Sequence, residues 1–157
     1  MKLDINNYPG SKNATGLPQF IINNVPDFDR FYEVFAGSAV IGRKLYDALP
    51  SKVYHLFERS LNVFTQLREA TVSQENIKPA RRDGLLFLHE YTELLNKTKS
   101  FVYLDPPYTK KSRRSSANIY EFEWTDEEHV DFLQFITSDI VKFNCMISHY
   151  PDKLYDD

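Results

Sequence analysis

Short apolar runs alternate with amphipathic stretches along this chain. Residues 31–35 form an apolar run, entered through the polar Pro26-Asp27-Phe28-Asp29 and broken at Ala36-Gly37-Ser38. A run of that length bounded by turn residues predicts a strand. A helix is predicted to follow to about residue 49, with Ser38 as its N-cap. Residues 53–57 predict a second strand that ends at Glu58 and leads into a helix through about residue 69. The polar residues 71–79 predict a loop. Asp83 is placed to cap a helix carrying Leu85, Leu88, Leu94 and Leu95. The third clear strand, residues 101–104, runs straight into Asp105-Pro106-Pro107-Tyr108, and residues 109–118 read as a basic loop. Thr125 and Glu128 form a capping-box pattern for a helix with Val130, Leu133 and Ile136 on one face. A last strand is predicted at residues 142–148, and a short helix at 18–25 precedes all of these.

Strands alternating with helices specify an α/β fold, in which a parallel sheet is covered on both faces. A length of 157 residues suits one domain. The chain stops soon after its last predicted strand, so the sheet is expected to lack its final C-terminal strands. Twelve Phe and ten Tyr supply core mass and also flat surfaces on which a base could stack. The net charge of -3 argues against coating nucleic acid through the overall field, which leaves that contact to local basic patches. With Cys145 the only cysteine, an intrachain disulfide and a cysteine-based zinc site are excluded. His55, His89, His129 and His149 show no metal-ligand spacing, so no metal is expected. No apolar run approaches the roughly 20 residues of a membrane span, and the start lacks a signal-peptide core. The expectation is a soluble, cytoplasmic protein.

The candidate chemistry begins at Asp105, Pro106, Pro107 and Tyr108. In open parallel sheets ligands collect at the carboxyl ends of strands, which is where this tetrapeptide falls. Its residue types suit methylation of an aromatic amine, a poor nucleophile because its lone pair is delocalised into the ring. A carboxylate (Asp105) accepting one N–H and a backbone carbonyl (Pro106) accepting the other favour a pyramidal nitrogen that can attack. Two consecutive prolines stiffen the turn, and Tyr108 is placed to stack on the base. The contribution is positioning and electrostatics, with the reactive methyl left to a cofactor.

Cofactor contacts are expected at the ends of the earlier strands. Phe35, Gly37 and Ser38 lie in a small turn that lets backbone approach a ligand at a helix start. Glu58, at the end of the second strand, is placed to accept from ribose hydroxyls. Asp83 could accept from an adenine amino group or serve only as a cap. Lys12, in the turn-rich Tyr8-Pro9-Gly10-Ser11-Lys12-Asn13, could pair a carboxylate. Lys110, Lys111, Arg113 and Arg114 follow the tetrapeptide without an intervening acid and could hold phosphates without reading sequence.

Together these segments resemble the D12-class, Dam-like DNA adenine N6-methyltransferases, especially their short phage-type members. Tyr8 to Asn13 resembles the amino-terminal cofactor motif, in which Tyr8 and Lys12 would contact the cofactor. Glu33 to Ser38 resembles the glycine-containing motif after the first strand. Glu58 falls at the ribose acid, Asp83 at the acid near the cofactor's adenine, and Tyr103 to Tyr108 at the catalytic motif. Tyr120 to Glu123, Thr125 to His129 and Ile147 to Tyr150 resemble the segments downstream. The resemblance implies a Rossmann-like methyltransferase sheet, S-adenosyl-L-methionine as cofactor, and double-stranded DNA as partner with the target adenine flipped out of the stack. The chain departs from the pattern at Ala39 and His149, where glycines are usual, and leaves little room between Leu67 and Asp83 for a target-recognition domain. Two function classes stay open on this reading: an active enzyme, or an inactive or truncated relative that binds nucleic acid or a protein partner.

Overall fold

A computed structural model describes residues 16–113 and 120–156. Tyr8, Lys12 and Arg114 lie outside the described residues. The elements run α1 (Leu17–Asn23), β1 (Arg30–Glu33), α2 (Val40–Ala48), β2 (Val53–Glu58), α3 (Leu61–Ala70), β3 (Ile77–Arg81), α4 (Gly84–Lys97), β4 (Ser100–Leu104), α5 (Asp126–Ile136), β5 (Asn144–Ile147) and α6 (Lys153–Asp156). The five strands form one sheet in the order β3-β2-β1-β4-β5, with every pairing parallel. The predicted α/β class and parallel sheet are therefore observed. Strand order reverses between β1 and β4, and a crevice opens at such a reversal beyond the carboxyl ends of the strands.

Side chains alternate between the two faces of the sheet, as the pleat requires. Phe31, Tyr54, Leu56, Phe101 and Tyr103 pack with Ile41 and Leu45 of α2 and Leu67 of α3. Tyr32, Val34, Phe57, Val102 and Leu104 pack on the opposite face, with Phe87, Leu88 and Leu95 of α4 and Phe132 and Phe135 of α5. Among the described residues, β4 is buried along its whole length, whereas Asn144 and Cys145 of β5 are exposed at the sheet edge.

Three sequence expectations are corrected. Residues 77–81, placed in a loop up to Pro79, form strand β3 on β2. Its composition hid it: Pro79 has no N–H to donate, which only an edge strand tolerates. On α5 the buried face is His129, Phe132, Phe135 and Ile136 rather than one led by Val130 and Leu133. His129 reads as polar but is enclosed by Trp124, His149 and Tyr155. Ser38 is not the cap of α2. The N-cap is Ala39, with no side-chain cap of its own. Glu33 of β1 takes that role from across the turn, its Oε2 accepting the Gly42 amide at 2.9 Å. Gly42 is required here, because a Cβ would lie 2.7 Å from that oxygen.

Candidate active site

The turn after β1 builds the floor of the crevice. Gly37 (φ 49°) and Ala39 (φ 49°) both lie in the left-handed region. Glycine enters that region freely, while alanine does so against its Cβ. The position where the resembling family favours a second glycine is thus one whose backbone wants it, and the chain forms the turn regardless.

Glu58 ends β2 beneath this turn, and both of its carboxylate oxygens are engaged. Oε2 accepts the Gly37 amide at 2.9 Å and Oε1 accepts the Ser60 amide at 2.6 Å. Burial pushes its carboxyl above the ordinary glutamate value, the nearby charge of Glu121 adding to the rise, while the amides of Ser60, Gly37 and Arg59 oppose it. Ser60 caps α3 and also donates to Glu121 Oε2 at 2.5 Å. This single serine therefore joins the end of β2 to the segment ahead of α5.

Asp83 caps α4 as predicted, its Oδ1 accepting the Leu86 amide at 3.0 Å. Its other oxygen faces Arg59 at 3.1 Å, and the Arg59 guanidinium lies 4.2 Å from the centre of the Phe122 ring. Asp83 stands in the crevice because Gly84 lets α4 press onto the β1 turn. A Cβ at Gly84 would sit 2.1 Å from the Val34 carbonyl oxygen.

Asp105 follows β4, with its Oδ1 accepting from Ser148 Oγ at 2.9 Å. It also meets the phenol of Tyr108. Phe35, Gly37, Ser38, Glu58, Asp83, Asp105, Pro106 and Pro107 all line one cleft of about 860 Å³, part of it open to solvent. Residues that the sequence places at three strand ends and one helix cap are thus brought to a single space. Asp105 faces the cleft that Phe35 and Glu58 border, rather than the interior.

Tyr108 is placed differently. Its ring is buried, packed at 4.6 Å from Tyr150 and 5.1 Å from His149, and does not line the cleft. The next residue is pinned as well: the Thr109 amide donates to His149 Nε2 at 3.2 Å, and its hydroxyl to Asp152. His149, a departure from the resembling pattern, therefore ties the turn at residues 105–109 to the end of β5. Arg113 turns inward and meets Glu123 through two 2.9 Å hydrogen bonds, its side chain only 4% exposed. It braces the chain and presents no free guanidinium to a phosphate. Lys111 is exposed and pairs with Asp126 at 2.6 Å, while Lys110 is exposed.

The sequence reading did not single out several residues of the cleft wall as site residues: Glu33, Arg59, Ser60, Tyr120, Glu121, Phe122 and Trp124. Only Ser60 carried a local signal, since a serine directly before an amphipathic run is an N-cap pattern. The others reach the cleft through tertiary packing, such as Trp124 edge-on to Phe35 at 5.3 Å. Among the described residues no group of His, Cys, Asp or Glu is arranged to hold a metal ion.

Residues 57–156 match the family described as D12 class N6 adenine-specific DNA methyltransferase. No curated protein matches the chain. A solved structure described as "Putative methyltransferase yhhF from Escherichia coli" is 18% identical, covering 89% of this chain and 71% of that one with a TM-score of 0.45.

Proposed function

Because the chain belongs to the D12 class of N6 adenine-specific DNA methyltransferases, we propose that it transfers a methyl group from S-adenosyl-L-methionine to the N6 amino group of an adenine in DNA. The observation that carries this reading is the shared cleft, in which Gly37, Glu58 and Asp83 border the same space as Asp105 and Pro106.

The residues present fit the cofactor. Glu58 and Asp83 are acceptors suited to ribose hydroxyls and an adenine amino group, and Phe35 and Phe122 offer apolar wall. Each carboxylate oxygen has two lone pairs, so the amides already on Glu58 leave acceptor capacity for a ligand hydroxyl. Tyr8 and Lys12, outside the described residues, belong to this proposal through their motif alone. When bound, the cofactor supplies an electrophilic methyl carbon attached to a sulfonium.

The chain's own groups do the rest. Asp105 accepts one N–H of the adenine amine and the Pro106 carbonyl accepts the other, which concentrates the lone pair on nitrogen. Asp105 also stands where the proton shed on methylation can be taken. Pro106 and Pro107 hold these acceptors without needing partners for missing amides. Tyr108, engaged with Asp105 and buried, becomes a stacking surface for a flipped base only if its ring moves from Tyr150. Lys110 and Lys111 are the described candidates for phosphate contact; Lys111 must exchange Asp126 for the backbone.

Substitution of Asp105 by alanine tests the assignment. Methyl transfer to adenine-containing duplex DNA, followed by nucleoside analysis, is expected to fall by about a thousandfold or more. S-adenosylhomocysteine affinity, measured by calorimetry, should persist. Normal turnover by the variant would refute the role. An N4-methylcytosine product would reassign the substrate, and wild type that binds S-adenosylhomocysteine without transferring methyl would favour an inactive relative.

A further inference from the structure

β4 and β5 run parallel, with Leu104 opposite Ile147, so the residues following each strand leave the sheet side by side. The ladder continues one step beyond β5, the Ser148 amide donating to the Leu104 carbonyl at 2.9 Å. This step sets Ser148 next to Asp105. Its hydroxyl donates to Asp105 Oδ1 at 2.9 Å and accepts from the Tyr103 phenol at 2.8 Å. A hydroxyl has one proton to give. With the Tyr103 O–H directed at Ser148 Oγ, the serine proton is left for the carboxylate, and the chain has one direction: Tyr103 to Ser148 to Asp105.

We infer that Ser148, oriented by Tyr103, is a positioning residue that fixes the rotation of the Asp105 carboxylate toward the substrate amine. The inference rests on the methyltransferase reading above. A carboxylate carries about four lone-pair sites, so accepting the serine leaves it able to accept an amine N–H. The Tyr108 phenol also meets this carboxylate; the serine adds a second hold on its rotation, and a carboxylate that can turn about its Cβ–Cγ bond meets the amine in the right plane only part of the time. The Tyr103 ring is wholly buried and belongs to β4 itself, so the far end of the chain is anchored in the sheet. Burial foremost, and the Asp105 charge next, hold the Tyr103 phenol far above its ordinary value, which keeps it a donor at all working pH. Hydroxyl chains of this kind polarise one another, strengthening the terminal bond.

The test compares wild type with Ser148→Ala, Ser148→Thr and Tyr103→Phe in single-turnover methylation across pH, with S-adenosylhomocysteine binding measured alongside. Ser148→Ala is expected to slow the methyl-transfer step by about 10- to 100-fold with KM for DNA and S-adenosylhomocysteine affinity unchanged. Because the carboxylate loses a donor to its ionised form, the acid limb of the rate profile should move to higher pH by about half a unit to one unit. Ser148→Thr, which keeps the hydroxyl, should restore both rate and limb. Tyr103→Phe keeps the ring packing and should show the same pattern more weakly, so the inference stays testable should Ser148→Ala unfold. Unchanged rate and limb in folded Ser148→Ala, or a loss that threonine does not restore, would overturn the positioning role alone. Wild type that transfers no methyl at all would remove the enzyme reading and this inference together.

Discussion

Glu58 shows how much one side chain can fix. It ends β2, accepts two backbone amides from different turns, and borders the cleft. In Glu58→Gln one of those amides would face an NH2 donor. Leaving a buried donor unmatched costs about 1–3 kcal/mol, and the same change removes an acceptor from the proposed cofactor site. The expected result is a lower midpoint in urea unfolding together with roughly tenfold weaker S-adenosylhomocysteine binding by calorimetry, since each 1.4 kcal/mol is a decade. A variant with wild-type affinity would detach Glu58 from cofactor recognition. Glu58 was legible in the sequence because an acid at a strand end is a recognisable pattern. Glu33 and Ser148 were not: their partners, Gly42 in a packed helix and Asp105 across a strand pairing, are set by tertiary register.

At the level of elements, the caps of α4 and α5 and the buried strands were legible, whereas the cap read at Ser38 does not form. The Thr125–Glu128 capping box forms with both of its bonds, and Asp83 caps α4. Both signals depend on residues within one turn of each other. What stayed hidden was geometry between elements, and α4 is the clearest case. Nothing in the local sequence marks Gly84, yet it is where the helix meets the β1 turn. Gly84→Ala brings a Cβ against the Val34 carbonyl, a backbone group that cannot rotate away. Overpacking of this kind costs about 1–3 kcal/mol. The start of α4 should shift, carrying Asp83 with it, so cofactor affinity falls along with thermal stability. Unaltered affinity and melting temperature would show that the helix can back away freely.

At the scale of the whole molecule, two buried groups respond to acidity with opposite sign. Burial, with the charge of His149 next, lowers His129 to about 4 against the opposing pull of Asp126, Asp152 and Glu128. A depressed folded value means the stability from neutral His129 is fully present above about 6.5 and is lost as pH falls towards 4. Glu58 works the other way: its raised value contributes stability below about 4.5 that is lost as pH rises through the folded value. The His129 share of this should lower the melting temperature by about 5 °C on acidification from 7 to 5, with Glu58 opposing it, so His129→Asn should shift the slope by that amount; an unchanged slope would exclude His129 as a contributor.

The reversal of strand order between β1 and β4 carries a consequence for endurance. The glycine turn and Asp105 hang from these two neighbouring strands, each laddered on both sides. Fraying begins at β3 and β5, which among the described residues have a neighbour on one side only. Backbone amides at the middle of a sheet open to solvent only when the whole structure does. Partial denaturation thus reaches Asp83 after β3 and Ser148 after β5 first, while the backbone that carries the glycine turn and Asp105 persists until the structure as a whole unfolds.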